Sequence, residues 1–212
     1  MDCTRTEGFD LSGALDLELA RPAIAEHVAR YDEWLQAGHA GAMEYLKRGR
    51  ERRADPTAIM PGARSILCVA VPYPKRAGGA SELKDGPRYA RYISGRDYHE
   101  VIAERLERVM TEVSRRWTGE LSWKVCVDTS AVLERSWAAL AGLGWIGKNT
   151  LLIHPQHGSY LFLGEVLISE PTGRGPTPLP DYCGNCTRCL NACPTRAFPK
   201  PRQLDANRCI SY

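Results

Sequence analysis

Cys183-Gly-Asn-Cys186-Thr-Arg-Cys189-Leu-Asn-Ala-Cys193-Pro194 decides how the C-terminal part of the chain folds. The run has the C-x₂-C-x₂-C-x₃-C-P spacing of iron–sulfur proteins. Three thiolates so spaced on a tight loop converge on one cubane, and the longer last step turns the fourth toward a second cluster. Zinc is the competing ligand, but zinc ribbons usually hold two C-x₂-C pairs roughly 15–20 residues apart. Five of the eight cysteines, Cys183, Cys186, Cys189, Cys193 and Cys209, fall in the last 30 of 212 residues. In a reducing compartment such crowding reads as metal ligation rather than disulfides. Two cubanes need eight thiolates. Cys183, Cys186 and Cys189 therefore start one cluster, Cys193 and Cys209 start another, and the missing ligands are expected beyond Tyr212. A single cluster completed by Cys193 or Cys209 is the alternative.

Upstream, composition changes at 173–180, where three prolines and two glycines mark a linker. Before it, strand-like and helix-like stretches interleave. Residues 19–35, 97–117 and 132–141 repeat apolar side chains at helical spacing, and the middle one is the clearest amphipathic helix. Residues 65–72, 122–127, 150–153 and 160–168 read as strands, the first so uniformly apolar that both faces must be buried. The alternation argues α/β or α+β for residues 1–172. Residues 74–87 read as a loop rich in Gly and Pro. Cys68 and Cys126 sit in strand-like runs as small buried hydrophobes, and Cys3 as part of a frayed terminus. A net charge of +3 gives no bulk argument for nucleic acid or membrane. No apolar stretch reaches transmembrane length, and the first residues carry neither a secretory nor a twin-Arg export pattern. A cytosolic location is expected.

Gly142-Leu-Gly144-Trp-Ile-Gly147-Lys148-Asn149 imitates both dinucleotide and P-loop fingerprints. Those loops leave a strand and open a helix, so that helix N–H groups face the phosphates. Here a predicted helix precedes and a strand follows, and Asn149 replaces the Mg²⁺-binding Ser/Thr. Neither NAD nor ATP is expected. The glycines either end the helix or admit something large and flat. Asp128 closes a predicted strand and leads into a helix. It is an N-cap or strand-end turn, or a carboxyl at the strand end where α/β sites lie.

Val127-Asp128-Thr129, Glu134-Arg135, the 142–149 loop, Gly158-Ser159-Tyr160, the 183–194 run and Cys209-Ile-Ser211 keep the order and spacing of one family. Together with Gly95-Arg-Asp97-Tyr98-His99 they resemble the epoxyqueuosine reductases, over residues 53–212. The resemblance implies a cobalamin-binding α/β domain (1–172), a linker (173–180) and a ferredoxin-like module with two [4Fe–4S] clusters, incomplete at 181–212. It implies reduction of epoxyqueuosine to queuosine in the tRNA anticodon loop, by a cytosolic monomer that takes electrons from an external donor. By position, Asp128 matches the family's proton donor and a cobalamin contact. Arg53, Leu152 and Ser211 fall at further cobalamin contacts, and Ala90 near another. Cys183, Cys186 and Cys189 match the cluster nearer the corrin, and Cys193 and Cys209 the outer one. Lys148 either meets a corrinoid amide or is solvated. An Asp at its reference pKa of about 3.9 is a poor acid at neutral pH. Its site is therefore expected to be desolvated, with the corrin plane as the cover. A reductive dehalogenase would share these cofactors but normally carries a twin-Arg signal. A plain ferredoxin-type carrier would not need the preceding domain.

Overall fold

The apolar run Ser65–Pro72 is the central strand of the sheet, buried along its first six residues because helices cover both its faces. The structure, a computed structural model, describes residues 2–73, 90–93 and 95–212. The loop expected at 74–87 lies outside the described residues. In chain order the elements are α1 (Asp2–Thr6), β1 (Leu11–Asp16), α2 (Leu17–Gln36), α3 (Glu44–Arg48), α4 (Arg50–Ala54) and β2 (Ser65–Pro72). They continue with α5 (Tyr98–Arg116), β3 (Trp123–Cys126), α6 (Glu134–Leu140), β4 (Trp145–Ile146), β5 (Leu152–Ile153), β6 (Leu161–Ile168) and α7 (Arg188–Ala192).

The main sheet has the order β1-β2-β6-β3, with every pairing antiparallel. Of the two classes the sequence allowed, α+β is the one formed. Alternation along β2 divides the core. Ile66, Cys68 and Ala70 face α2 and α6, meeting Ala20, Ile24, Trp137 and Leu140. Leu67 and Val69 face α5, meeting Ile102, Leu106 and Val109, with Phe9 and Cys3 alongside. Each large apolar side chain so buried contributes about 1.5–3 kcal/mol. Among the described residues no helix is long and apolar enough to cross a membrane.

Two expectations change here. Cys3 is not part of a frayed end: it lies in α1, which packs on α5, and its side chain joins the second core cluster. The edge strand β1 was not legible, because Gly13 interrupts its alternation. That glycine is required by packing, since a Cβ there would sit 2.2 Å from the Ala141 carbonyl oxygen at the end of α6. Gly13→Ala should therefore cost about 1–3 kcal/mol by overpacking. Gly175→Ala, whose Cβ would meet nothing within 4 Å, should leave the thermal midpoint unchanged. Equal midpoints for the two variants would refute this account.

The Pro-rich stretch after β6 makes no secondary structure of its own, so its polar groups find partners elsewhere. Thr172 and Gly173 donate their N–H groups to the buried Asp16 carboxylate, at 2.6 and 2.9 Å. Arg174 O accepts the Asp16 N–H, and Leu140 O accepts the Thr177 N–H, both at 2.8 Å. The last thirty residues then fold back on α2. Trp34 donates its indole N–H to Leu204 O at 2.6 Å, Ala206 donates its N–H to His39 O, and Lys200 pairs with Glu33.

Candidate active site and cluster loop

Asp128 stands just beyond β3 in the left-handed region (φ 49°), a conformation that Asp tolerates better than most residues. Two contacts hold it there. The Glu134 carboxylate, in the first turn of α6, accepts the Asp128 N–H at 2.7 Å. On the other side, Asp128 Oδ2 lies 3.0 Å from His99 Nε2, while His99 Nδ1 lies 2.7 Å from Asp97 Oδ1. Asp97 caps α5 by accepting the His99 N–H, so the first turn of that helix aims the imidazole at β3. With a carboxylate on each ring nitrogen, His99 is best satisfied as the imidazolium, which donates from both. The Asp128 bond, and then the Asp97 bond, accordingly raise its pKa above 6.5. Tyr98 stacks between His99 (4.0 Å) and Phe162 (4.2 Å), and burial and the Asp128 charge push its phenol pKa upward.

The Asp128 carboxylate is not the N-cap that spacing allowed, since it bonds His99 and α6 begins six residues later. The strand-end rule for parallel sheets does not apply either, because β3 is antiparallel to β6. The protein itself also leaves the carboxyl side chain 57% exposed, so the desolvation expected for an acid is not supplied by the chain.

Behind this turn lies a buried acidic group that sequence reading missed. Cys68 on β2, Glu165 on β6 and Cys126 on β3 form one row across the sheet, on the face covered by α6. Glu165 is fully buried, and neither carboxyl oxygen has a hydrogen-bond partner among the described residues. Burial, with the nearby Glu134 and Asp128 charges adding to it, pushes its pKa far up. Burial also raises Glu134 to about 7, against its bond from the Asp128 N–H. The only sequence signal for Glu165 is a charge inside an otherwise apolar strand.

The cysteine loop begins where the Pro-rich stretch ends. Cys183, Cys189, Cys193 and Cys209 are half-buried, Cys186 is exposed, and none is in a disulfide. Among the described residues no three His, Cys, Asp or Glu side chains crowd onto a single-ion site. The chemistry of the donor set fits cubanes. Short turns place the thiols, and backbone and side-chain N–H groups already point at sulfur. Cys193 Sγ accepts the Ala197 N–H at 3.3 Å, which lowers the thiol pKa, and Cys183 Sγ accepts the Trp145 indole N–H at 3.4 Å. Lys148 Nζ has partners that its position in the sequence did not suggest: it donates to Gly184 O (2.6 Å) and Cys186 O (3.0 Å). The 142–149 loop follows α6 and enters β4, as its reading required, and Gly142 ends the helix at φ 84°.

The designated cofactor contacts lie on separate elements. Arg53 lies in the last turn of α4, its guanidinium 5.9 Å from the Tyr45 ring centre. Leu152 is 3% exposed and packs in the core, so its backbone is what a cofactor could touch. Ser211 is exposed near Tyr212, whose hydroxyl bonds the Ala42 N–H.

Two family models match: "Epoxyqueuosine reductase QueG, DUF1730" over residues 53–129 and a "4Fe-4S double cluster binding domain" over residues 182–212. An epoxyqueuosine reductase of Pseudomonas aeruginosa is 38% identical across 100% of the chain, which covers 58% of that protein. The chain thus spans a little over half the length of this relative. A solved epoxyqueuosine reductase with an epoxyqueuosine-modified tRNA-Tyr stem loop superposes with a TM-score of 0.73, at 30% identity over 99% of the chain and 54% of that structure. An epoxyqueuosine reductase from Bacillus subtilis, with its aspartate catalytic loop swung out of the active site, gives 0.73 at 28% identity, over 99% and 54%.

Proposed function

Because the chain belongs to the epoxyqueuosine reductase family, we propose that it takes part in reducing epoxyqueuosine to queuosine in the tRNA anticodon loop, with Asp128 as the proton donor. The observation that carries this is the Asp97–His99–Asp128 chain of hydrogen bonds, open to solvent at its Asp128 end. In this reading residues 1–172 hold the cobalamin-binding catalytic part, 173–180 join it to the cluster module, and 181–212 carry cluster ligands. Cys183, Cys186 and Cys189 would hold one [4Fe–4S] cluster, and Cys193 and Cys209 would contribute to the other. Arg53, the Leu152 backbone and Ser211 would contact cobalamin. The protein works in the cytoplasm as a monomer fed by an external donor.

Loss of the epoxide oxygen as water takes two electrons and two protons. When bound, cobalamin supplies the carbon-directed nucleophile and the clusters supply electrons one at a time. The chain's own residues handle the protons. The Asp128 carboxyl gives its proton to the departing oxygen, and the His99 imidazolium can return one to Asp128 through the 3.0 Å contact. Asp97 keeps the ring oriented. Glu134 holds the Asp128 backbone.

Anaerobically reconstituted protein with epoxyqueuosine-bearing tRNA should form queuosine, read by mass spectrometry of the nucleosides. No conversion by cobalamin- and cluster-loaded protein would sink the proposal. The elevated His99 pKa sets a sign for pH dependence: the imidazolium is present below it and lost as pH rises through it. Steady turnover should fall along that alkaline limb. His99→Asn should lower steady turnover by about 10–100-fold, less than the 10²–10⁴ of the acid itself. Its pH profile should also lose the alkaline limb that His99 sets. A variant that keeps that limb would refute the reloading role.

A further inference from the structure

The loop Gly142–Asn149 has no part in the proton chemistry, yet it is tied to the cysteine loop at several points. Trp145 and Lys148 reach Cys183 Sγ, Gly184 O and Cys186 O, as described. The Trp145 ring also packs edge-on against Tyr182, with centroids 5.1 Å apart. Arg202 completes the frame. Its N–H bonds Lys148 O at 3.0 Å, its Nε bonds Ile146 O at 3.1 Å, and its guanidinium pairs with Asp181. Asp181 in turn accepts the Cys183 N–H at 2.9 Å. The glycines let this loop sit close to β5: a Cβ on Gly144 would lie 2.4 Å from Ile153 O, and one on Gly147 2.4 Å from Ile153 Cδ1.

We propose that Trp145 and Lys148 are positioning residues that raise the reduction potential of the cluster held by Cys183, Cys186 and Cys189. The inference rests on reading these cysteines as cluster ligands. Taking up one electron from an external reductant breaks no bond and adds one negative charge, which spreads over the sulfurs. A donor aimed at a ligand sulfur and an ammonium group fixed beside the loop both favour that added charge. Lys148 acts twice, since its bonds to Gly184 O and Cys186 O also fix the backbone that carries the cysteines.

The test is a dithionite titration of the anaerobically reconstituted protein, followed by electron paramagnetic resonance, with iron content measured on the same samples. The signal lost in Cys186→Ser identifies the cluster concerned. Trp145→Phe keeps the ring and removes only the N–H. At the parent midpoint its reduced-to-oxidised ratio should fall several-fold. Lys148→Met should lower that ratio about tenfold, or about 59 mV for a one-electron couple. Lys148→Arg, which keeps charge and donors, should recover most of it. Ratios within twofold of the parent in Trp145→Phe and Lys148→Met, with iron retained, would overturn the proposal. If Lys148→Met loses iron, Trp145→Phe decides alone by the same criterion. Loss of iron from both, not restored in Lys148→Arg, also overturns it as a tuning site. Because no tRNA is present, these outcomes are independent of the substrate reading.

Discussion

Asp128→Asn lowers turnover by about 10²–10⁴-fold, the usual worth of a positioned general acid, while cluster content and cobalamin binding stay at parent levels. The substitution is conservative where it matters for folding. Asn tolerates the left-handed backbone (φ 49°) as well as Asp does, and the Asp128 N–H that bonds Glu134 is untouched. The side chain is exposed and caps no helix, so stability should change by less than about 1 kcal/mol. What is lost is the carboxyl group that takes a proton from His99 and passes it on. Single-turnover rate and thermal midpoint, measured on one preparation, separate the roles. A thermal shift with turnover within threefold of the parent would make Asp128 structural. The acid would then have to be sought at His99, the nearest other proton carrier.

The long periodic elements were legible because each covers a whole face of the sheet. The predicted helix at 97–117 is α5 with Asp97 as its cap, and the strand at 65–72 is β2 to the residue. Short elements were not, since their stability comes from tertiary partners. Two-residue β4 exists because it pairs with β5, and β1 because Gly13 admits the end of α6. Parallel and antiparallel arrangements could not be told apart, as helix–strand alternation is compatible with both. In the site, the cysteine run was visible from spacing and Asp128 from the family resemblance, whereas the His99 contact spans 29 positions and needed α5 to bring it. The role of Lys148 was invisible for the same reason: its carbonyl partners lie 36 and 38 residues away.

Glu165→Gln should stabilise the protein at neutral to mildly alkaline pH, by an amount that grows with pH. Glu165 is fully buried without a hydrogen-bond partner among the described residues, so the folded protein keeps it protonated while the unfolded chain, near pKa 4.5, releases the proton. The folded state therefore binds more protons, and its stability is complete below about pH 4.5 and falls as pH rises toward the folded pKa. The slope is about 1.4 kcal/mol per pH unit. Glu134, at about 7, gives the same sign and is still titrating above pH 7, but it is present in parent and variant alike. The buried thiols Cys68 and Cys126 titrate in the unfolded chain near 9, so they add little below pH 8. The difference between parent and variant across pH 7 to 8 thus isolates Glu165. There the thermal midpoint of the parent should drop by about 3–5 °C relative to the variant, at roughly 2–4 °C per kcal/mol for a chain of this size. At pH 5, where the carboxyl and the amide are both neutral, the two midpoints should lie close together, the variant lower if its NH₂ group finds no acceptor. Parallel curves across pH 7 to 8 would mean that Glu165 is ionised in the folded protein and has a cationic or donor partner.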